Sequence, residues 1–348
     1  MSQETIHWLN TQTLQSRAVW HTSAQLQKLM DKPTVYDGPI PFEDVRSRLF
    51  GWEPLRGDVR STATIITPDG VETVSMTDEH RVTMMRPPHA LYQDDPGAIL
   101  GVFKSGYKAH PYAKWLLENV AHILDDDLNI YSAGLLRGGA QAWVQITVPD
   151  WVTTPEGVVF KPNLLAVTSL DGSLATNYKR TILNAVCDNT MRAALGEAGQ
   201  AYRVKHSRHS DMKLMEAREA LELVHTIKDD FAAEVAELNA WAVTDKEFDD
   251  FLATLAPTEQ DGKKLKGRAL TMAESKQTTL RGMWNNDTRV APWKNTAWGV
   301  VQAVNTYTTH VQTVRGKGRD ERNMEMAVTG GFEKLDDSTL RTLEVALA

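Results

Sequence analysis

Cysteine is almost absent from this chain of 348 residues, in which Cys187 is the only one. A single cysteine cannot form a disulfide within the chain and excludes a zinc site built from several cysteines, so we expect a reducing compartment. No apolar run approaches the roughly 18 residues that cross a bilayer, and the opening residues, MSQETIHWLN, lack the basic and apolar parts of a signal peptide. The sequence therefore predicts a cytoplasmic protein without a membrane partner.

Several motifs of known enzyme classes are missing as well. The chain has no phosphate loop of the GxxxxGKS or GxxxxGKT type, no GxGxxG after a strand, no HExxH and no GxSxG. P-loop nucleotide hydrolysis, Rossmann redox chemistry and zincin proteolysis are therefore disfavoured. We expect no cofactor, and we favour a function without catalysis while an enzyme stays open as an alternative.

The charges that are present are strongly segregated. The net charge of −7 argues against a simple nucleic-acid binder. Residues 178–218, however, hold eight basic and four acidic side chains, a net of +4, whereas residues 219–250 hold two basic and ten acidic ones, a net of −8. This pattern favours one surface for a polyanion and an acidic one for a basic partner, although each run alone is also typical of a solvated helix face.

The basic strip and a second cluster near the C-terminus supply the predicted nucleic-acid contacts. These are Lys179, Arg180, Arg192, Arg203, Lys205, Arg208, Lys213, Arg315, Lys317 and Arg319. Tyr178 and Tyr202 each precede basic residues, which favours stacking of their rings on bases while the cations hold phosphates.

Three weaker constellations have simpler interpretations. His206 and His209, with Asp211, carry ligand types that suit zinc or manganese, but a cap or a polyanion contact explains them better, and we predict no metal. Cys187, on a predicted helix, is interpreted as a small buried side chain rather than a nucleophile. Turn and cap roles likewise explain Asp171 and the pair at 126–127 without a metal.

The first part of the chain reads as β-hairpins. STATIITPDGVETVS (61–75) turns at Pro68-Asp69-Gly70, and IYSAGLLRGGAQAWVQITV (130–148) turns at Gly138-Gly139. LLAVTS and LATNYKRT flank a third turn at 170–173, and 202–206 is a possible further strand. Helices are predicted from Pro111 onward and from Cys187 to Leu195.

The second part reads as helical. Apolar residues at three-to-four spacing predict a long helix over about 210–242, followed by a helix at DKEFDDFLATL, a loop at KKLKGR (263–268) and a final helix at 296–314. We expect four tryptophans, Trp143, Trp284, Trp293 and Trp298, to lie in the core. The fold class is α+β, with a β-rich core domain at 1–210 and a helical C-terminal region at 211–348.

Five segments follow one another along the chain in this order: SAGLLRGGAQAWVQ, LLAVTSLDGSLATNYKRT, VCDNTM, RHSDMKLMEAREAL and TAWGVVQAVNTYTTHV. Together they resemble the phage- and plasmid-borne family catalogued as domain of unknown function 932, from about residue 20 to about residue 311. The tryptophan-histidine-glycine near the start of that family corresponds to Trp20-His21-Thr22 here, a partial match. The resemblance implies a bacteriophage protein of the host bacterial cytoplasm, in an uncharacterised family.

The architecture is also similar to that of the ring-forming single-strand annealing proteins of the Rad52 type. This similarity implies a homo-oligomer that binds single-stranded DNA in recombination or replication, which we take as the leading hypothesis. Two alternatives stay open: a protein that binds a host factor through its acidic helix, and a metal-dependent nuclease using His206 and His209. The sequence does not separate DNA from RNA.

Overall fold

The computed structural model describes residues 17–21, 35–36, 39–91, 94–120, 129–147, 151–184, 190–192, 201–207, 210, 227–315 and 319–348. Its strands form a nine-stranded sheet, a three-stranded sheet and a short two-stranded hairpin. They are β1 (Arg17–His21), β2 (Val35–Tyr36), β3 (Leu55–Thr67), β4 (Gly70–Arg86), β5 (Ala98–Lys104), β6 (Asn129–Leu136), β7 (Gln141–Thr147), β8 (Val152–Thr153), β9 (Val159–Ser169), β10 (Thr176–Asn184), β11 (Thr190–Arg192), β12 (Ala201–Val204), β13 (Glu259–Gln260) and β14 (Lys263–Lys264).

The nine-stranded sheet has the order β11-β10-β9-β7-β6-β1-β2, with β12 also on β10 and β8 also on β9. All of its pairs are antiparallel except β1 with β6. The hairpins predicted around 138–139 and 170–173 are both confirmed. Gly138 and Gly139 have φ angles of 62° and 88°, and Gly172 has 76°. These turns need the left-handed backbone conformation that glycine adopts at little cost.

The three-stranded sheet is β3-β4-β5, and its hairpin turns at Pro68-Asp69 as predicted. The strands are longer than the predicted hairpin at 61–75: they begin at Leu55 and end at Arg86. Only the base of this sheet is covered, where Val82 and Met84 are buried. Residues 61–66 and 68–77 are all exposed.

Helices cover both faces of the nine-stranded sheet. On one face, the side chains of Ile146, Phe160 and Tyr178 belong to a large core cluster with helical residues such as Phe231 and Trp298. On the other face, a smaller cluster joins strand residues to two C-terminal helices. The α-helices are α1 (Phe42–Leu49), α2 (Ile227–Ala240), α3 (Asp245–Leu255), α4 (Gly267–Asn286), α5 (Ala297–Thr306), α6 (Arg319–Thr329) and α7 (Gly331–Leu347).

Several predictions about the helices hold. Helix α3 has the predicted bounds, because Thr244 and Glu247 form a capping box at its start and Pro257 follows its end. Helix α2 covers the described part of the long predicted helix; residues 211–226 lie outside the described ranges. A π-helical turn at Ala113–Glu118 replaces the regular helix predicted from Pro111. All four tryptophans named above are buried.

Other predictions are wrong. Residues 190–192 are a strand rather than part of a helix, because they pair with Thr181–Leu183 of β10. KKLKGR is not only a loop: Lys263–Lys264 form β14, and α4 begins at Gly267. The helix predicted at 296–314 is shorter, because α5 ends at Thr306 and continues as a π-helical turn to Val311. Helix α5 is buried on all sides, and it is not the final helix, because α6 and α7 follow it. The division at 210–211 stays a prediction, and the large core cluster contains residues from both parts.

Candidate nucleic-acid interface

Five rings form a continuous stack at one end of the nine-stranded sheet. The ring of Phe103 stacks on Tyr107, Tyr107 on His206, His206 on His110, and His110 on Trp115. The successive centroids are 3.9, 5.1, 3.9 and 3.7 Å apart. The stack fastens the loop 105–111 to the end of β12, from which His206 follows.

Hydrogen bonds fix the two histidines. His110 Nδ1 lies 2.6 Å from Thr176 Oγ1, which in turn lies 2.7 Å from Thr168 Oγ1 on the neighbouring strand. His206 Nδ1 lies 3.1 Å from the carbonyl oxygen of Lys108 and donates its proton to it, because a carbonyl only accepts. The guanidinium of Arg56 donates to the carbonyls of Ser105 and Tyr107, at 2.8 and 3.4 Å. Backbone carbonyls of the loop thus accept from Arg56 on β3 and from His206, which follows β12.

The histidine pair is uncharged at neutral pH. Burial lowers the pKa of His110 to about 2, and the repulsion that a protonated His110 would meet from a protonated His206 and from Lys108 and Lys114 acts in the same direction. Burial also lowers the pKa of His206, although its hydrogen bonds to backbone oppose that shift. Burial, and then the charge of Asp171, raises the pKa of Tyr107 well above its ordinary value. The stack is therefore a neutral support beneath a charged surface.

Four cations surround this support, and we call them the basic loop surface: Lys108, Lys114, Arg203 and Lys205. The charges of Lys108 and Lys114 act directly on His110. Arg203 and Lys205 are exposed at the end of β12, and Lys205 immediately precedes His206. Two of the ten predicted contacts thus lie at the strand end that leads to the stack, and two lysines that the prediction missed lie near His110. A signal for them exists in KSGYKAHPYAK (104–114), where lysines alternate with tyrosine and histidine.

Lys179 occupies a different place from the one predicted. It lies on the opposite face of the sheet from Tyr178, and its Nζ is 3.1 Å from both carboxylate oxygens of Glu333 in α7. Only 15% of its side chain is exposed. On the same side of the sheet, Arg137 pairs with Glu325 of α6 at 2.8 Å. Helices α6 and α7 therefore neutralise these two cations.

Tyr178 is buried, with 2% of its surface exposed. Its hydroxyl donates to the carbonyl of Trp115 and accepts from Asn119 Nδ2 at 2.8 Å. A ring fixed in this way is unavailable to stack on a base, contrary to the prediction. The prediction placed Tyr178 and Lys179 on one surface because they are adjacent in sequence. Adjacent residues of a strand face opposite sides of the sheet, so the two side chains of β10 lie on different faces.

The remaining predicted contacts are only partly within the described residues. Arg315 is exposed, and Arg319 is half-buried at the start of α6. Arg180, Arg192 and Tyr202 lie on β10, β11 and β12, and their side chains are outside the described part. The following lie outside it altogether: Cys187, Arg208, His209, Asp211, Lys213, Lys317 and the carboxylates at 126–127.

The described residues contain no group of three or more His, Cys, Asp or Glu side chains that could hold a metal ion. His206 is committed to the ring stack and to the Lys108 carbonyl. Asp171 has the predicted turn role, because its Oδ1 accepts the backbone N–H of Ser173 at 2.9 Å.

Comparison with known proteins identifies the family. Searches of curated proteins and of solved structures find no match. None of the helices in the described ranges has the length and apolar character needed to cross a membrane. The family described as a domain of unknown function, DUF932, matches residues 99–328. The matched residues include the ring stack, the nine-stranded sheet from β6 to β12 and most of the helices, so the chain belongs to the DUF932 family.

Proposed function

We propose that this protein binds single-stranded nucleic acid on the basic loop surface and anneals complementary strands, without a cofactor. The observation that carries the proposal is the exposure of Arg203 and Lys205 at the end of β12, next to His206 of the ring stack. Lys108 and Lys114 lie close enough to His110 in the same stack for their charges to lower its pKa. Phosphates are the ligands that such a group of cations attracts most strongly.

The rest of the charge distribution supports this location. The chain has a net charge of −7, so a polyanion binds only where cations are concentrated and acidic groups are turned away. On the face covered by α6 and α7, Lys179 and Arg137 already have carboxylate partners. Arg203 pairs with Asn177 and therefore faces the same side of the sheet as Lys179, but unlike Lys179 it is exposed, as is Lys205. Arg203 and Lys205 are therefore better placed than Lys179 and Arg137 to bind a strand of phosphates.

The ring stack would contribute rigidity rather than chemistry. Its rings fix the loop backbone, while the long, flexible lysine and arginine side chains can adjust to successive phosphates of a strand. Cations that hold only phosphates leave the bases free, and free bases can pair with a second strand. Annealing of this kind requires no bond to be made or broken in the protein or in the nucleic acid.

The test compares two double charge reversals of equal size. Arg203→Glu with Lys205→Glu removes half of the basic loop surface, whereas Lys263→Glu with Lys264→Glu changes two exposed lysines of β14. Binding of a labelled single strand is measured by fluorescence anisotropy across a salt series. Each lost phosphate contact to a single strand lowers the salt slope by about 0.7, so the first variant should lose about 1.4 and at least about tenfold in affinity. The β14 variant should keep the wild-type slope.

Two outcomes would contradict the proposal. Equal losses in both variants would mean that binding follows net charge alone. If the wild type does not bind a single strand at low salt, the host-factor alternative is favoured. The surface for that partner would be formed by exposed carboxylates of α2 and α3, namely Asp229, Glu237, Asp249 and Asp250. A fluorescence assay with complementary strands then separates annealing from binding alone.

A further inference from the structure

The hairpin of β3 and β4 has an apolar face that no described residue covers. We call residues 59–79 the arm. Of the twelve exposed large apolar side chains among the described residues, eight lie in the three-stranded sheet: Leu55, Ile65, Ile66, Val71, Val74, Met76, Ile99 and Val102. This concentration marks the sheet as an interaction surface, because exposed apolar residues elsewhere are scattered.

The register of the arm separates its two faces. Ser61 lies opposite Met76, Ala63 opposite Val74, and Ile65 opposite Glu72, so that apolar residues and one carboxylate share a face. The opposite face carries the hydroxyl pairs Thr62 with Ser75 and Thr64 with Thr73 and, next to the turn, the exposed apolar pair Ile66 with Val71. An isolated two-stranded hairpin is marginally stable in water, so an arm with one largely apolar face and an apolar tip requires a partner to cover them.

A groove of complementary character lies at the base of the arm. It is open, has a volume of about 550 Å³, and is lined by His80, Arg81, Val102, Phe103, Lys104 and Ser105. We call it the arm groove. Val102 is 50% exposed and Phe103 follows it, so the groove offers apolar contacts beside Lys104 and Arg81. Arg81 also lies 3.6 Å from Asp78, but its side chain is 64% exposed and can reach a second carboxylate. At the tip of the arm, Ile65 shares one face with the carboxylate of Glu72, Ile66 and Val71 share the other, and Asp69 lies in the turn between the strands.

The arm of the same chain does not reach this groove. About ten paired residues separate His80 from the turn, which places the tip roughly 35 Å from the arm groove at about 3.3 Å per residue. The continuous pairing from Val59 with Asp78 to Thr67 with Gly70 prevents the arm from folding back. A groove and a tip that fit each other but lie at opposite ends of one rigid element belong to different molecules.

We infer that the arm tip of one copy of this chain inserts into the arm groove of the next. The contact joins two different surfaces, so it repeats head to tail and produces a ring or a filament rather than a closed two-fold dimer. The carboxylate of Glu72 would face Arg81 and Lys104, and the apolar face around Ile65 and Val74 would cover Val102. This assembly is independent of nucleic acid.

The experiment is sedimentation velocity of the purified full chain across a concentration series, without nucleic acid. We expect assemblies larger than a dimer. The double variant Val74→Thr with Met76→Thr should raise the dissociation constant at least about tenfold, which corresponds to 1.4 kcal/mol. Thr64→Ser with Thr73→Ser changes the other face of the arm and should leave the assembly unchanged.

A charge exchange tests the two ends together. Glu72→Arg and Arg81→Glu should each prevent assembly alone, because like charges then meet, and an equimolar mixture of the two variants should assemble again. A wild type that stays monomeric at all concentrations would overturn the inference. It would equally be overturned if Arg81→Glu kept the assembly and lost only nucleic-acid affinity, since the groove would then be a nucleic-acid contact.

Discussion

The nine-stranded sheet and the arm are built from similar residues but differ completely in burial. Every residue of β7 is buried, whereas residues 61–66 of β3 are all exposed, although both strands are rich in apolar and β-branched side chains. Helices α2 and α5 pack on one side of the larger sheet, and α6 and α7 pack on the other. Strand composition therefore does not decide burial, which depends on what the rest of the chain, or another chain, places on the sheet.

The same amino acid at one position in each sheet gives the sharpest test of this difference. Ile146→Ala in β7 should lower the free energy of unfolding by about 2–5 kcal/mol, because a fully buried side chain leaves a cavity. Ile66→Ala, at a residue that is 84% exposed, should change it by less than about 0.5 kcal/mol in the monomer. Urea unfolding at low protein concentration measures both. Similar losses would show that the arm packs on something within its own chain.

Acidification should destabilise the covered region through His110, which is fully buried. Folded His110 has a depressed pKa of about 2, whereas an unfolded histidine titrates near about 6.5. Below about pH 6.5 the unfolded state binds a proton at His110 that the folded state does not bind. The contribution of His110 to the free energy of unfolding is therefore fully present above about pH 6.5 and is lost progressively as the pH falls. The loss is about 1.4 kcal/mol per pH unit for His110.

The measurement is the free energy of unfolding from pH 7.5 to pH 5 in the wild type and in the His110→Gln variant. His110→Gln should be less stable at neutral pH and should show a shallower pH dependence. Identical slopes for wild type and His110→Gln would exclude the neutral buried histidine as the cause.

The smallest expected effect concerns a cation in each sheet. Lys179 is largely covered and bound to Glu333, so Lys179→Met should cost about 1 kcal/mol by leaving a half-buried carboxylate without its partner. Arg81 is 64% exposed and 3.6 Å from Asp78, and Arg81→Met should be nearly neutral for the monomer, as surface ion pairs contribute about 0–1 kcal/mol. Thermal unfolding compares the two. Weakened nucleic-acid binding by Lys179→Met, with unchanged stability, would restore Lys179 to the predicted interface.

Local chemistry made part of the fold predictable. Turn residues such as Pro68-Asp69-Gly70 and Gly138-Gly139 specify hairpins by their own backbone preferences, and α3 begins at a capping box. Strand β11 was misread because three residues at a sheet edge are specified by their partner strand. Helix α4 was missed because only Leu280, Met283 and Trp284 along it are buried, which leaves no apolar stripe.

The candidate site was less predictable than the fold. His110 and His206 lie far apart in sequence, and only the packing of the loop 105–111 on the end of β12 stacks their rings. The basic strip was identified as one surface, yet strand alternation divides it, with Lys179 facing α7 and Tyr178 facing the core. A run of basic residues in the sequence shows where the cations are, but it does not predict which of them pair with carboxylates of a helix in the fold.

The parallel pairing of β1 with β6 has a consequence for synthesis on the ribosome. Ala18 pairs with Ser132, so β1 leaves the ribosome more than a hundred residues before its partner exists. At about 5–20 residues per second, that delay is at least about 5 seconds, and the arm also emerges during it. In this interval β1 lacks its parallel partner and the apolar arm is already outside the ribosome, so we expect the nascent chain to need protection from aggregation before β6 pairs with β1.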